Sequence, residues 1–553
     1  MQYVIHNFVK LSIFLTDDLL KFSEKLRVGG TRAFHSVKKE GMIILKLGGM
    51  AMVETNRNRI SLFGFFALTA ALVMTSYEYP TFATSKLHLI FFVLVGGIFW
   101  FFPVALTSAE MASIEGWEEG GIFSWVSHAM GKRWGLAAVF YEWYQGTLCN
   151  ITMLYFVVGA FSIVFHIPIL EENLWVKFLV IAGLYWLLTL LQFRGVKSTV
   201  KLAQVGVVLG IIMPTVLFLI LAIIYAVKGY PLQIQFNWHD IIPNFHELST
   251  LVVAASFVLA FGGIEASASH VNEMENPRRN YPLAILLLAI VTIVLDGVGG
   301  LSVAMVTPAQ DLSLSAGVVQ AFEYLLRALT TWWRPILVVI TLCLILGEIS
   351  QVSSWIVGPT KTLYIAAREG LLPPTMRHVN EEKVPTHLLI LQGVVVTIWA
   401  AILTFGGGSG NVSFFVSISL TAVIYLCAYI LMFISYFRVI FHFKDLPRTY
   451  QIPGGSLVKS LVALSGLILS IFSFFIAFVK PSALSEQQGV IYQVILMLCF
   501  VLMFISPFVL YGFRHRFMAE DDQDGYKIVG VTHQDINPLT PPKGRSSIKI
   551  VKR

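Results

Sequence analysis

The chain has 553 residues, of which 56% are hydrophobic and only 13% are charged, and its formal net charge is +7. This hydrophobic fraction is far above that of a soluble domain, so the composition indicates a membrane protein with several spans. The basic residues are scattered over short loops and are not gathered on one soluble face, which argues against nucleic-acid binding.

The N-terminal segment, residues 1–58, differs from the rest of the chain. Its mildly apolar start lacks the basic region, the sustained apolar core and the cleavage site of a signal peptide. It is either a cytoplasmic amphipathic extension or the translation of codons upstream of the true start. Leu47-Gly48-Gly49 can be encoded by a purine-rich ribosome-binding sequence shortly before Met52, which favours the second interpretation.

Residues 59–513 contain twelve stretches of about 20 or more apolar residues, the length that a bilayer requires. The predicted spans are residues 60–84, 89–114, 134–165, 174–193, 199–227, 249–273, 281–306, 335–367, 387–405, 412–441, 457–479 and 490–513. Lys and Arg concentrate in alternate loops, and this asymmetry places both termini in the cytoplasm. The sequence therefore predicts an all-α, multi-pass membrane domain followed by a cytoplasmic tail, residues 514–553.

The first predicted span is interrupted. Residues 60–73 read as one helical half, the segment from Met74 to Pro80 brings polar atoms and a proline to mid-membrane, and residues 81–85 resume the helix. In lipid every backbone N–H and C=O group needs a partner, so a non-helical segment at this depth persists only where it lines a cavity. The break therefore indicates a binding site.

The sixth predicted span carries a second break, at Gly262-Gly263-Ile264-Glu265. An ordinary glycine kink is the alternative, because glycine is common in membrane helices. The carboxylate favours a site, since an ionisable residue inside a membrane is by default a functional candidate.

The two breaks occupy corresponding positions if spans one to five and six to ten are inverted repeats, which predicts a 5+5 inverted-repeat transporter fold. Helix N-termini at such breaks attract a carboxylate, and carbonyl groups at the ends of the first halves accept an ammonium group. An amino acid carries both groups.

Other side chains within the spans are candidates with two interpretations each. Tyr425 and Tyr429 share one helix face and present two hydroxyls to a cavity or form a packing stripe. Trp355 is a gate over a substrate or a core residue. Glu110 and Glu348 are further carboxylates within spans, and for Glu110 an internal hydrogen-bonding role is favoured.

The sequence does not favour an enzyme, a metal or a cofactor. All four cysteines lie inside spans at no metal-ligand or redox spacing, which indicates packing residues. No Walker loop or nucleophile elbow is present, and the soluble loops are too short for a catalytic domain. The energy for transport would come from a gradient.

Seven motifs resemble the bacterial glutamate/γ-aminobutyrate antiporters of the amino acid–polyamine–organocation superfamily, with similarity from about residue 61 to about residue 544. They are YEYPTFATS at 77–85, AEMA at 109–112, GWEEGG at 116–121, VNEM at 271–274, YPLA at 281–284, SWIVGP at 354–359 and IPGG at 452–455. The resemblance implies exchange of extracellular glutamate for intracellular γ-aminobutyrate across the bacterial inner membrane. It also implies a contribution to acid resistance alongside a cytoplasmic glutamate decarboxylase.

The resemblance implies a substrate site that joins the second break to three other spans. It implicates Tyr77, Glu265, Trp355, Tyr425 and Tyr429. The candidate substrate-binding residues also include Gly262 and Gly263 of the second break and Gln351, which lies on the same helix face as Trp355. Glu265 and Glu348 are the candidates for proton coupling.

Gln351 departs from the family pattern, which usually has a glutamate four positions before the tryptophan. Glutamine cannot titrate, so a proton-sensing role at this position is lost or moved to Glu348. The alternative function is therefore a proton-coupled symporter, or an exchanger, of a neutral amino acid such as glutamine. A membrane nutrient sensor would need a signalling domain, which neither terminal segment supplies.

The tail departs from the family as well. Gly530-Val531-Thr532 and Pro542-Lys543-Gly544 resemble the start of the family's cytoplasmic plug, but the segment that follows, residues 545–553, is short and basic. The alternative is a disordered tail that is attracted to anionic lipid headgroups.

Overall fold

The computed structural model divides the chain into residues 1–58 and residues 59–553. It describes residues 62–74, 76–117, 121–194, 202, 205–265, 274–382, 384–406 and 410–523. The N-terminal extension, the tail motifs and the polar stretch 266–273 lie outside the described residues, so the predicted start and the predicted plug stay predictions.

The described part of the chain is helical, with seventeen labelled helices and no strand. The first group is α1 (Leu62–Val73), α2 (Tyr79–Ala83), α3 (His88–Ala112), α4 (Gly121–Met130), α5 (Lys132–Phe165), α6 (Ile169–Glu172), α7 (Leu174–Gln192), α8 (Val207–Val227), α9 (Leu248–Leu251) and α10 (Ala254–Ala260). The second group is α11 (Pro277–Val306), α12 (Gly317–Leu329), α13 (Trp333–Arg368), α14 (Thr386–Gly406), α15 (Gly410–His442), α16 (Gly455–Ile476) and α17 (Glu486–Gln523). Both α3 and α8 contain a π-helical turn.

Ten of the described helices are long and apolar enough to cross a membrane. They are α3, α5, α7, α8, α11, α13, α14, α15, α16 and α17. The predicted first and sixth spans are absent from this set because each is divided into shorter helices. The all-α membrane fold is confirmed, whereas the count of twelve spans and the inverted repeats stay predictions.

Both predicted interruptions are present. α1 ends at Val73 and α2 begins at Tyr79, with Pro80 in the first turn of α2, where its missing N–H costs no helical hydrogen bond. α10 ends at Ala260, and Gly263 in the following turn has a φ of +101°, a conformation that side-chain-bearing residues rarely adopt. A glycine at position 263 therefore permits the backbone conformation at which the sixth span is interrupted.

The core is formed around α5 and α15. In the most apolar part of α15, 94% of the residues are buried, against 78% in α5 and only 22% in α16 and in α17. Helices α16 and α17 therefore flank the bundle, while α15 runs through its centre. The central position of α15 brings its tyrosines to the second break.

Helices α8 and α13 approach each other closely at two glycines. A Cβ atom added to Gly210 would lie 2.3 Å from the backbone of Gly347. Small residues permit such contact between membrane helices. This contact fixes the turn of α13 that carries Glu348.

Candidate functional site

Glu265 is buried and accepts two hydrogen bonds from phenol groups. The Tyr425 hydroxyl donates to Glu265 Oε1, and the Tyr429 hydroxyl donates to Glu265 Oε2 over 2.6 Å. Both tyrosines lie one turn apart on α15, as their spacing predicts, so one helix face supplies both donors. The structure thus joins the carboxylate of the second break to the predicted tyrosine pair.

The two glycines of the break allow this contact. A Cβ atom at Gly262 would lie 2.8 Å from Tyr425 Cε1, which leaves no room for a side chain. The Gly263 N–H group donates to the Tyr429 hydroxyl over 3.2 Å. Tyr429 therefore links the interrupted backbone to the carboxylate, because it accepts from one and donates to the other.

Trp100 of α3 supports the tyrosine pair, a role that no pattern in the sequence predicts. Its ring meets Tyr429 edge to face, with centroids 4.7 Å apart, and its indole N–H donates to the Ser470 hydroxyl over 2.9 Å. Such edge-to-face pairs favour one ring orientation. Trp100 therefore fixes the direction of the Tyr429 hydroxyl.

The first break forms a separate group of polar contacts. The Tyr77 hydroxyl lies 3.4 Å from Cys149 Sγ, and the Ser76 hydroxyl donates to Glu348 Oε1 over 3.2 Å. Cys149 is thus not only a packing residue, although it was predicted as one. Glu348 contacts the break directly, which places this proton-coupling candidate beside the non-helical backbone.

Gln351 also contacts the first break. Its Nε2 donates to the Met74 carbonyl over 2.7 Å, at the end of the first half-helix. The Met74 carbonyl is one of the groups that we expected to accept a hydrogen bond from a substrate ammonium group, and it keeps a second lone pair for that role. The side chain that departs from the family pattern therefore stabilises the interrupted backbone.

Trp355 lies one turn beyond Gln351 on α13 and is 8% exposed. Within the described ranges, no hydrogen bond or ring contact joins Trp355 to Tyr77 or to Glu265. The predicted gate therefore stays a prediction.

Three further buried carboxyl groups are not among the predicted site residues. Glu78 lies in the first break, Glu142 on α5 and Asp296 on α11, and each has one oxygen without a hydrogen-bond partner among the described residues. Glu142 is close enough to interact electrostatically with Glu265. All three lie within predicted spans, so a search for every carboxylate within a predicted span would have found them.

Glu110 has a different environment. It accepts from the Tyr436 hydroxyl (2.8 Å) and the Ile452 N–H (2.9 Å), and it forms ion pairs with Arg448 (2.8 Å) and Lys459 (2.5 Å). This is the internal hydrogen-bonding role that the sequence favoured. Glu110 joins α3 to α15, α16 and the loop between them.

The described part of the chain contains no group of three or more His, Cys, Asp or Glu side chains arranged to hold a metal ion. The polar groups at the two breaks are carboxyl, hydroxyl, thiol, amide and backbone groups. Such a set can bind ammonium and carboxylate groups through hydrogen bonds and charge.

Comparisons with known proteins agree with this chemistry. Residues 60–500 match the family model described as amino acid permease. The glutamate/gamma-aminobutyrate antiporters of Lactococcus lactis subsp. lactis (strain IL1403) and subsp. cremoris (strain MG1363) are each 47% identical over 502 residues, which is 90% of this chain and 98% of each relative. An uncharacterized transporter of Legionella pneumophila is 29% identical over 458 residues, which is 82% of this chain and 97% of the relative.

Proposed function

The chain belongs to the amino acid permease family, and from that premise we propose that it is an antiporter that exchanges extracellular glutamate for intracellular γ-aminobutyrate. The relatives that carry this name are similar over nearly their whole length. The observation in the molecule that supports the proposal most is Glu265, a buried carboxylate that accepts hydrogen bonds from two neutral phenol groups and forms no ion pair with a cation of the described residues. The family supports a transporter and not an enzyme.

Glu265 is suited to a ligand that carries an ammonium group. Burying a carboxylate is costly unless it is hydrogen-bonded and paired with a positive charge. Tyr425 and Tyr429 provide the hydrogen bonds, and the ammonium group of either substrate would provide the charge. Because glutamate and γ-aminobutyrate both carry an ammonium and a carboxylate, the same site can bind them in turn.

The exchange would remove protons from an acid-stressed cell. The side-chain carboxyl of glutamate has a pKa of about 4.3, so near that pH much of the imported glutamate is neutral in its side chain, while γ-aminobutyrate tends towards a charge of +1. The exchange then exports positive charge, and decarboxylation inside the cell consumes a proton. A cytoplasmic glutamate decarboxylase would thus be a functional partner, and the protein would lie in the bacterial inner membrane with both termini in the cytoplasm.

Counterflow in proteoliposomes tests the exchange. Liposomes preloaded with γ-aminobutyrate should accumulate labelled external glutamate, and matched liposomes without internal substrate should not. Equal uptake into both preparations would contradict an antiporter.

Gln351 supports a second candidate, the proton-coupled transport of a neutral amino acid such as glutamine. Its amide donates to the Met74 carbonyl and adds no charge to the first break. Labelled glutamine in the same two preparations separates the candidates, because a symporter needs no internal substrate but requires a proton gradient.

A further inference from the structure

A polar pocket of about 300 Å³ lies between α5, α7, α14 and α15, apart from both breaks. Its floor contains the buried side chains of Tyr155, Lys177, Thr404 and Ser413. Ser413 is twelve residues from Tyr425 on α15, which at 1.5 Å per residue is about 18 Å along the helix axis. The predicted topology places this end of the bundle outside the cell.

Lys177 is the unusual member of the floor, because it is a cation with only 3% of its surface exposed. Its Nζ lies 3.7 Å from Glu171 Oε1 and 4.7 Å from the centre of the Tyr155 ring. The first distance is longer than a normal N–H···O hydrogen bond, and the second is a cation–π contact. An ammonium group has three donors, so an entering carboxylate can still be bound.

Glu171 is held in place from the opposite side. Its Oε1 accepts from the Ser315 hydroxyl over 2.6 Å, and this bond ties the rim of the pocket to the loop before α12. Glu172 also lines the pocket and is exposed. The rim therefore presents negative charge, while the floor presents the Lys177 ammonium group.

The hydroxyl groups complete the pocket. The Tyr155 hydroxyl lies 2.9 Å from Thr404 Oγ1, and Ser413 lines the same floor. Hydroxyl groups both donate and accept hydrogen bonds, so they can bind a side chain that carries either a donor or an acceptor. The combination of a cation, two carboxylates and hydroxyls fits a small molecule that carries one charge of each sign.

We propose that this pocket is an outer binding site for a free amino acid zwitterion, with its carboxylate on Lys177 and its ammonium group on Glu171 and Glu172. This inference rests on the proposed function, because it assigns the pocket to the external substrate before that substrate reaches Glu265. The site concentrates substrate at the outer end of the bundle. It therefore acts on the affinity for external substrate and not on the rate of exchange at saturation.

The test compares Lys177→Met with the wild-type protein in right-side-out membrane vesicles. Methionine keeps an apolar stem of similar length in the buried position and removes the charge. We expect the KM for external glutamate to rise about tenfold, the effect of losing one charge-assisted hydrogen bond. The KM for internal γ-aminobutyrate and the maximal rate stay unchanged.

Two matched variants separate binding from structure. Lys177→Arg keeps the charge and should restore most of the affinity for external glutamate. Lys228→Met removes an exposed lysine at the end of α8, on the face that is predicted to lie outside, and should change neither KM. Thermal unfolding in detergent shows whether each variant is folded.

An unchanged KM for external glutamate in folded Lys177→Met would overturn the proposal. An equal rise in the KM for external glutamate and the KM for internal γ-aminobutyrate would also overturn it, and so would a fall in the maximal rate alone. If the wild-type protein does not exchange glutamate at all, the proposed function fails instead. The same comparison is then made with the amino acid that it does transport, and the pocket is supported only if Lys177→Met raises the external KM for that substrate.

Discussion

Two buried carboxylates, Glu110 and Glu265, are both bound by tyrosines of α15, but their charge environments differ. Glu110 has ion pairs with Arg448 and Lys459 as well as the Tyr436 hydroxyl. Glu265 receives phenol hydrogen bonds, and no cation of the described residues pairs with it. A carboxylate with its own cations holds helices together, whereas one without them is suited to a ligand that brings the charge.

Glu110→Gln should reduce the stability of the protein more than any other change that we propose. Glu110→Gln leaves Arg448 and Lys459 with their shared negative partner removed, and breaking a buried ion pair costs about 3–5 kcal/mol. We expect a clear fall in the thermal midpoint and in the yield of monodisperse protein in detergent. Glu115→Gln, at an exposed position nearby, is the control and should behave as wild type.

If Glu110→Gln is as stable as the wild-type protein, Arg448 and Lys459 have other partners. The ion pairs of Glu110 would then not be needed to hold the helices together.

Glu265→Gln tests whether exchange depends on the negative charge of Glu265. The amide oxygen can still accept a tyrosine hydrogen bond, so folding should be retained, but the negative charge for the substrate ammonium is lost. We expect exchange to fall about 100-fold, which corresponds to about 2.7 kcal/mol and lies within the range for a lost partner of a buried charge pair. Counterflow at saturating γ-aminobutyrate measures the change. Flux at the wild-type level would remove Glu265 from the site.

Tyr429→Phe should reduce exchange more than Tyr425→Phe. Tyr429→Phe removes a donor to Glu265 and also an acceptor for the Gly263 N–H, while Tyr425→Phe removes one donor alone. With about 1 kcal/mol for each net hydrogen bond, we expect kcat/KM to fall about fivefold in Tyr425→Phe and by more in Tyr429→Phe. A larger fall in Tyr425→Phe than in Tyr429→Phe would show that the hydrogen bond from the Gly263 N–H group to Tyr429 does not contribute to exchange.

A change at the first break should alter exchange least, and only at higher pH. In Gln351→Glu, the protonated acid can donate to the Met74 carbonyl as the amide does, but the ionised carboxylate cannot. Exchange should therefore stay near the wild-type level in acid and decline as the pH rises. Flux measured from pH about 4 to about 8, a range that spans the ordinary carboxyl and imidazole pKa values, reports the profile.

The same series with Glu348→Gln added shows whether Glu348 contributes to that profile. An unmoved profile and an unmoved ratio of glutamate to glutamine uptake in both variants would mean that these α13 side chains are structural.

The membrane fold and the position of both breaks could be predicted from the amino-acid sequence alone. The thickness of a bilayer sets the length of each apolar stretch, and a glycine pair or a proline changes the backbone where it stands. The spacing of Tyr425 and Tyr429 also predicted a shared helix face, because the helical period is local. These properties depend on neighbours in the chain, so they can be read from it.

Which side chains meet depends on how the helices pack, and the sequence does not predict it. Glu265 and Tyr425 are 160 positions apart, and periodicity gives the face of a helix but not the partner opposite it. The cations that neutralise Glu110, the amide of Gln351 on the Met74 carbonyl and the support of Tyr429 by Trp100 all depend on how the helices pack. Since packing joins residues that are distant in the chain, it alone separates a structural carboxylate from one that is suited to a substrate.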